Sequence, residues 1–364
     1  MTPENSSRVL IVDDDEANLL ILEEGLGDQF EIQSASCGGE ALELACRVPT
    51  PDIILLDIMM PDMDGFDVLK KLRQRIRTRN IPVIFVTSLN DAHDEMTGLK
   101  LGACDYITKP INLSLLEVRL RNQLELKRYR DHLQELVLER TRTLQLVQQV
   151  TIETISQVTE FRDPETGGHI NRTRAYVRLL AEQLKSSGIY QRELTPEHIE
   201  MLYLSAPLHD IGKVAISDEL LYKPAKLDEG EFEQMKQHAV FGETVLKQAS
   251  DRLGTDSFLK TAAEIAGAHH EKWNGSGYPR KLKEEAIPLS GRLMALADVY
   301  DALISERVYK PPFSHDKAAS IILQGKGSHF DPNIVDTFMK IQFEFRECAA
   351  LHADSELERA ILFS

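Results

Sequence analysis

The sequence predicts a multidomain chain. An α/β domain on a five-stranded parallel sheet, with helices on both faces, is followed by a long helical linker and an all-α metal domain. Three observations carry this reading. Short apolar runs alternate with amphipathic stretches through the first 120 residues, as in a parallel sheet covered on both faces. Residues 112–160 hold no Pro or Gly and are rich in Leu, Glu, Arg and Gln. From about residue 150 onward only helical patterns joined by turns remain, and metal-preferring side chains gather among them. A length of 364 residues suits two or three domains at roughly 100–200 residues each, enough for each to bury a core. A hydrophobic content of 42% and a charged content of 27% belong to a globular chain.

The first domain opens with the strand-like RVLIV, followed by PDIILL before Asp57, then IPVIFVT and a short DYITKP. Between these runs lie the helix-like EANLLILEEGL, GGEALELACR, GFDVLKKLRQR and DEMTGLKLG. Ligands of such sheets sit at the carboxyl ends of the strands. Asp13 and Asp14 end the first strand, Asp57 the third, Thr87 the fourth and Lys109 the fifth, so all five converge on one rim. Three carboxylates packed together repel unless a hard divalent cation such as Mg²⁺ joins them. With that cation present, Asp57 is a nucleophile toward a phosphoryl group, and Lys109 and Thr87 stabilise the product oxygens. An Asp at a strand end is also an ordinary turn or helix cap, but capping does not explain five polar residues at four strand ends.

The order VDDD, LLDIMMPDMDG, VTS and YITKP resembles the response-regulator receiver family over residues 7–125. The resemblance implies that Asp57 takes phosphate from a sensor histidine kinase, and that Asp13, Asp14 and Asp57 hold Mg²⁺ with the Met59 backbone carbonyl. It implies a switch formed by Thr87 and Tyr106 with Lys109 beside them.

The stretch 112–160 reads as one long helix or two nearly continuous ones. Taking Leu126, Leu133, Arg140 and Val147 as one heptad position puts Tyr129, Leu136, Thr143 and Val150 at the other. Six of these eight are apolar or aromatic, which suits a parallel coiled coil that forms a homodimer and carries a signal between the two domains; the alternative is an amphipathic helix packed on its own domain. The divisions expected are 1–125, a linker at 126–150, a metal domain at 151–345 and a tail at 346–364.

In the metal domain Glu165 and His169 are four apart, on one face of a helix. The adjacent His209 and Asp210 end a helical run, and one carboxylate has two oxygens with which to bridge neighbouring metals. His238, the pair His269 and His270, and Asp298 complete the set. Five of the eleven histidines sit in these clusters, at spacings that match no zinc finger or H-E-x-x-H arrangement. Mixed imidazole and carboxylate ligands favour Fe, Mn, Ni or Zn over Ca.

LHDIGK followed by HHEKWNGSGYP resembles the HD-GYP branch of the HD phosphohydrolases over roughly residues 150–340, with RDPETGGHI, KPAKLDEGEFEQMKQH, ALADVYDALISERVYK and SHFDP as further support. That family hydrolyses cyclic di-GMP. The resemblance implies metal ligands at Glu165, His169, His209, Asp210, His238, His269, His270 and Asp298, and two or three divalent ions, with Fe, Mn or Ni ahead of Zn. It implies His209, Asp210 and Lys213 as catalytic residues, and Thr166, Lys213, Tyr278, Arg307 and Lys310 around the substrate. Asn274 departs from the family, which usually has Asp before this glycine; Asn keeps the turn-capping geometry and loses a charge. Gly275 and Gly277 suit a tight loop presenting Tyr278, which Pro279 stiffens.

The formal net charge of -16 argues against a groove for polymeric DNA or RNA, whereas a metal cluster supplies local positive charge for a small phosphorylated ligand. Scattered Cys37, Cys46, Cys104 and Cys348 fit reduced thiols, and the absence of a basic, apolar leader or an ~18-residue apolar run points to a cytoplasmic protein without a membrane partner. The expected reaction is hydrolysis of cyclic di-GMP to pGpG, and onward to GMP if the linear dinucleotide rebinds. Two rival readings are a metal-dependent phosphohydrolase for another nucleotide and a docking module for signalling proteins such as a diguanylate cyclase.

Overall fold

The computed structural model describes residues 7–88, 92–160, 167–254, 257–306, 311–353 and 355–363. The chain divides into two compact units, Met1–Arg142 and Thr143–Ser364.

The first unit alternates β1 (Arg8–Val12), α1 (Glu16–Leu26), β2 (Glu31–Ala35), α2 (Gly38–Leu44), β3 (Ile53–Asp57), α3 (Gly65–Gln74), β4 (Val83–Ser88), α4 (Ala92–Lys100) and β5 (Asp105–Lys109). The strands are parallel, in the order β2-β1-β3-β4-β5. Side-chain alternation along the strands makes two cores. Leu10, Val12, Ile54, Leu56, Val83 and Phe85 meet Val68, Leu69 and Leu72 of α3. Val9, Ile11, Ile53, Leu55 and Ile84 meet Leu22 and Leu26 of α1 on the other face. Both faces being covered, β3 is buried at every position, which is why it reads as an unbroken apolar run.

A single helix, α5, spans Leu113–Glu160. Its first turns bury Leu116, Leu120 and Leu124 in the second of these cores, and its last turns bury Ile152, Ser156 and Thr159. Between them the heptad positions are open to solvent, with Leu126 61%, Leu133 57% and Val147 56% exposed, so this stretch does not pack on its own domain.

The second unit is helical: α6 (Gly167–Ser186), α7 (Pro196–Ser205), α8 (Asp218–Leu221), α9 (Glu229–Met235), α10 (Gln237–Leu253), α11 (Phe258–Ala268), α12 (Leu289–Ile304), α13 (His315–Gln324), α14 (Pro332–Lys340), α15 (Gln342–Leu351) and α16 (Glu356–Ile361). Among the described residues it has no strand beyond one isolated bridge, Lys326 to Phe330. Local sequence sets several starts. Thr195 caps α7 with Pro196 in the first turn, Asp228 and Glu231 form a capping box on α9, and Asp331 with Pro332 opens α14. Tyr176 and Leu180 of α6, Leu293 and Tyr300 of α12, Phe338 of α14 and Phe345 of α15 share one core. The stretch set apart in sequence as a tail continues this core through Ala349 and Leu362.

Candidate metal centre

Five parts of the helical unit supply the centre. His169 lies in the first turn of α6, His238 at the second residue of α10, His269 and His270 directly after α11, and Asp298 on α12. His209 and Asp210 fall between two 3-10 turns, Ala206–Leu208 and Ile211–Ala215. Gly212 allows the second turn to lie on the backbone of α10, since a Cβ there would sit 1.9 Å from the His238 carbonyl oxygen.

Ligand atoms from Asp210, His238, His269 and His270 form one group, and those from His169, His209 and Asp298 a second, each within 4.8 Å of one another. Asp210 divides its oxygens between them. Oδ2 is 3.3 Å from His209 Nε2, while Oδ1 is 3.3 Å from His238 Nε2 and 3.5 Å from His269 Nε2.

Main-chain carbonyls fix the ring tautomers. His209 Nδ1 lies 3.0 Å from Ala206 O, His238 Nδ1 2.7 Å from Met235 O, and His269 Nδ1 3.1 Å from both Ile265 O and Ala266 O. A carbonyl only accepts, so each Nδ1 carries the proton and each Nε2 presents a lone pair inward. Those lone pairs face carboxylate oxygens that also only accept, and Asp210 Oδ1, His238 Nε2 and His269 Nε2 are buried without a hydrogen-bond partner. Acceptors facing acceptors need a cation. Ligand bonds of ~2.1 Å in a tetrahedral shell set neighbouring donor atoms about 3.4 Å apart, so the separations seen here suit a divalent ion. The residues present therefore fit metal.

The charges agree with this. Burial pushes the His238 pKa down to about 4, and burial with neighbouring His269 lowers His270 well below its usual value, so both stay neutral as ligands. Burial opposes ionisation of Asp210, but Lys213 holds its carboxyl well below the usual range. Lys213 Nζ is 2.6 Å from Asp210 Oδ2.

Tyr278 stands at the rim, its ring 4.7 Å from that of His270 and its N–H donating to the His270 carbonyl at 3.2 Å. Burial, then the charges of Asp210 and Asp298, raise its pKa, so the phenol stays a donor. The loop that carries it is held from below. Asn274 Oδ1 accepts from Ser276 N at 2.9 Å, the turn-capping role expected of it, and Gly275 has a φ of +81°. Trp273 N and Asn274 N donate to His329 O and Ser328 O, which gives the SHFDP stretch its part in the site. Glu271, 1% exposed, accepts from Arg280 N at 2.7 Å and Leu282 N at 3.1 Å. Glu165, Thr166, Arg307 and Lys310 lie outside the described residues.

Sequence reasoning passed over three residues of this centre. Asp301 Oδ2 lies 2.9 Å from His169 Nδ1, and Arg172 grips both Asp301 oxygens at 2.6 and 3.0 Å. Glu271 is the third. Spacing held a signal for two of them, because Arg172 follows His169 by three residues and Asp301 follows Asp298 by three, each on the same helical face.

At the sheet's rim, Asp13, Asp14 and Asp57 form a third group that could hold a cation. Lys109 Nζ donates to Asp13 Oδ2 at 2.9 Å and Asp57 Oδ2 at 2.8 Å, and Met59 N lies 3.4 Å from Asp57 Oδ1. Burial raises the Asp57 pKa against the pull of Lys109. Thr87 is buried and donates to Ser88 O; Tyr106 is part-buried on β5, opposite Phe85.

The response regulator receiver domain family matches residues 9–121, and the HD domain family residues 153–334. This chain is a response regulator with an HD domain. A probable cyclic di-GMP phosphodiesterase of Vibrio cholerae is 44% identical to this response regulator over 356 residues, covering 96% of this chain and 80% of that protein. The cyclic di-GMP phosphodiesterase response regulator RpfG of Xanthomonas campestris is 35% identical over 302 residues, 81% of this chain and 76% of that one. A 3'3'-cGAMP-specific phosphodiesterase 2 of Vibrio cholerae is 39% identical over 191 residues, 52% of this chain and 34% of that protein. Among the described residues of the response regulator no helix is long and apolar enough to cross a membrane.

Proposed function

We propose that the HD domain, of the HD-GYP type, hydrolyses cyclic di-GMP to pGpG at a pair of divalent metals, with onward hydrolysis to GMP and with phosphorylation of Asp57 as its control. The observation that carries this is the split of the Asp210 carboxylate between two groups of imidazole ligands, which is the arrangement of a bridging ligand. When bound, such a pair supplies Lewis acidity and activates water near neutral pH. The chain's own residues do the rest. Lys213 donates to the phosphoryl oxygens, Tyr278 orients the substrate at the rim, and Arg307 and Lys310, assigned by resemblance, add charge-assisted donors. Fe, Mn or Ni suits the mixed imidazole and carboxylate set.

The test is a panel of cyclic and linear nucleotides with products separated by chromatography. Cyclic di-GMP turned over fastest, with pGpG appearing first, is the expected result; a protein that spares every cyclic dinucleotide would overturn the proposal. A second reading, cleavage of a hybrid cyclic dinucleotide, is favoured by the likeness to the cGAMP-specific enzyme, and the same panel separates the two.

A sensor histidine kinase is the proposed phosphodonor, with Mg²⁺ at Asp13, Asp14 and Asp57. The proposed partner of α5 is a second copy of the chain. Parallel pairing would cover the exposed Leu126, Tyr129, Leu133, Val147 and Val150 and set Glu125 opposite the partner's Arg130.

A further inference from the structure

The four histidines whose Nδ1 partners are described are not held alike. His209, His238 and His269 each donate Nδ1–H to a carbonyl three or four residues earlier in the chain, a contact that comes with the local turn itself. His169 instead faces a side chain on another helix, Asp301 of α12. That carboxylate is 1% exposed and is gripped by Arg172, the guanidinium of which also donates to His352 O at 2.8 Å and Ser305 Oγ at 2.9 Å. With both oxygens held by the Arg172 guanidinium, the carboxylate faces His169 Nδ1 as an acceptor. A carboxylate behind a ligand histidine fixes its tautomer and ring angle and strengthens its donor nitrogen. Among the described contacts, that support reaches one of the two ligand groups.

Resting on the reading that both groups hold metal, we propose that Asp301, clamped by Arg172, is the positioning residue of the His169, His209 and Asp298 metal position alone. The Asp210, His238, His269 and His270 position takes its order from local backbone and does not depend on Asp301. The two positions are thereby unequal, and the segment ending α15 shares in setting one of them through His352 and Arg172.

The test is titration of the metal-free full chain with Mn²⁺ alone, read by the electron paramagnetic resonance of free and bound ion. Wild type should take up at least two ions. Asp301→Asn should weaken one of them roughly 10–100-fold and leave the other unchanged. His238→Ala should weaken the other, and the double variant should lose both. Equal weakening of both ions by Asp301→Asn, or of neither, would overturn the inference while leaving the metal centre standing. Wild type that binds no Mn²⁺ pair would overturn the site reading and the inference with it. Because a buried Arg172 without its carboxylate threatens folding, a second readout uses wild type. Ring nitrogen–proton correlation spectra of the metal-free chain should show His169 protonated at Nδ1 in a carboxylate hydrogen bond; a His169 ring protonated at Nε2 would overturn the assignment.

Discussion

Lys213 Nζ sits 2.6 Å from Asp210 Oδ2, in the 3-10 turn that directly follows that residue, so the cation beside the shared carboxylate is a side chain of the pocket itself. Of the charged donors described at the pocket, it is the one beside both ligand groups. Lys213→Met should keep the metal content and lower kcat about 100–1000-fold, the cost of removing one donor to developing phosphoryl charge. Metal analysis alongside steady-state kinetics checks this; unchanged kcat would remove Lys213 from catalysis.

Glu271 acts on the loop rather than on the metals. Its carboxylate accepts from the Arg280 and Leu282 main-chain N–H groups, and burial raises its pKa ahead of those bonds, which lower it. Glu271→Ala should lower stability by about 1–3 kcal/mol, because two donors lose their acceptor, and should raise KM as the loop bearing Tyr278 loosens. Denaturant melts and kinetics on one sample measure both.

The exposed seam of α5 gives a third expectation. Leu133 is open to solvent, so Leu133→Asp should leave the fold intact while weakening self-association. Sedimentation over a concentration series decides it. Equal association of wild type and variant would mean that α5 does not pair in this register.

Acid should loosen the support of the Tyr278 loop. Burial, with Lys272 nearby, pushes the His329 pKa down to about 4, against about 6.5 in an unfolded chain. The folded value is depressed, so protons bind the unfolded state first. The stability this neutral ring contributes is complete above pH ~6.5 and is lost as pH falls toward 4. The melting temperature of metal-free wild type should drop across that window, and that of His329→Gln should drop less. Other buried histidines act over the same range, so the difference between the two proteins is the readout.

Much of this was legible in the chain. Arg8–Val12 and Glu16–Leu26 lie where the apolar run RVLIV and the helix-like EANLLILEEGL placed them, the helix beginning at the Asp15 cap. Strand β2, EIQSA, was not singled out, since an edge strand with only Ile32 and Ala35 facing the two cores carries little apolar signal. Residues 346–364 read as a tail for a related reason: their buried apolar residues in the core, Ala349 and Leu362, are too sparse to show a period. The histidines of the two candidate ligand groups stood out by residue type. The Asp301–Arg172 clamp did not, because its meaning lies in a contact across 129 residues that spacing within one helix only hints at.

The central claim is that the two ligand groups around Asp210 hold metals that hydrolyse cyclic di-GMP. The most direct measurement is turnover of that dinucleotide by full-length protein purified anaerobically, with metal counted on the same sample, for wild type and Asp210→Ala. At least two ions per chain with pGpG production in wild type, and neither property in the variant, is the predicted result. Wild type loaded with two ions that leaves cyclic di-GMP intact, or an Asp210→Ala protein that still cleaves it, would contradict the account.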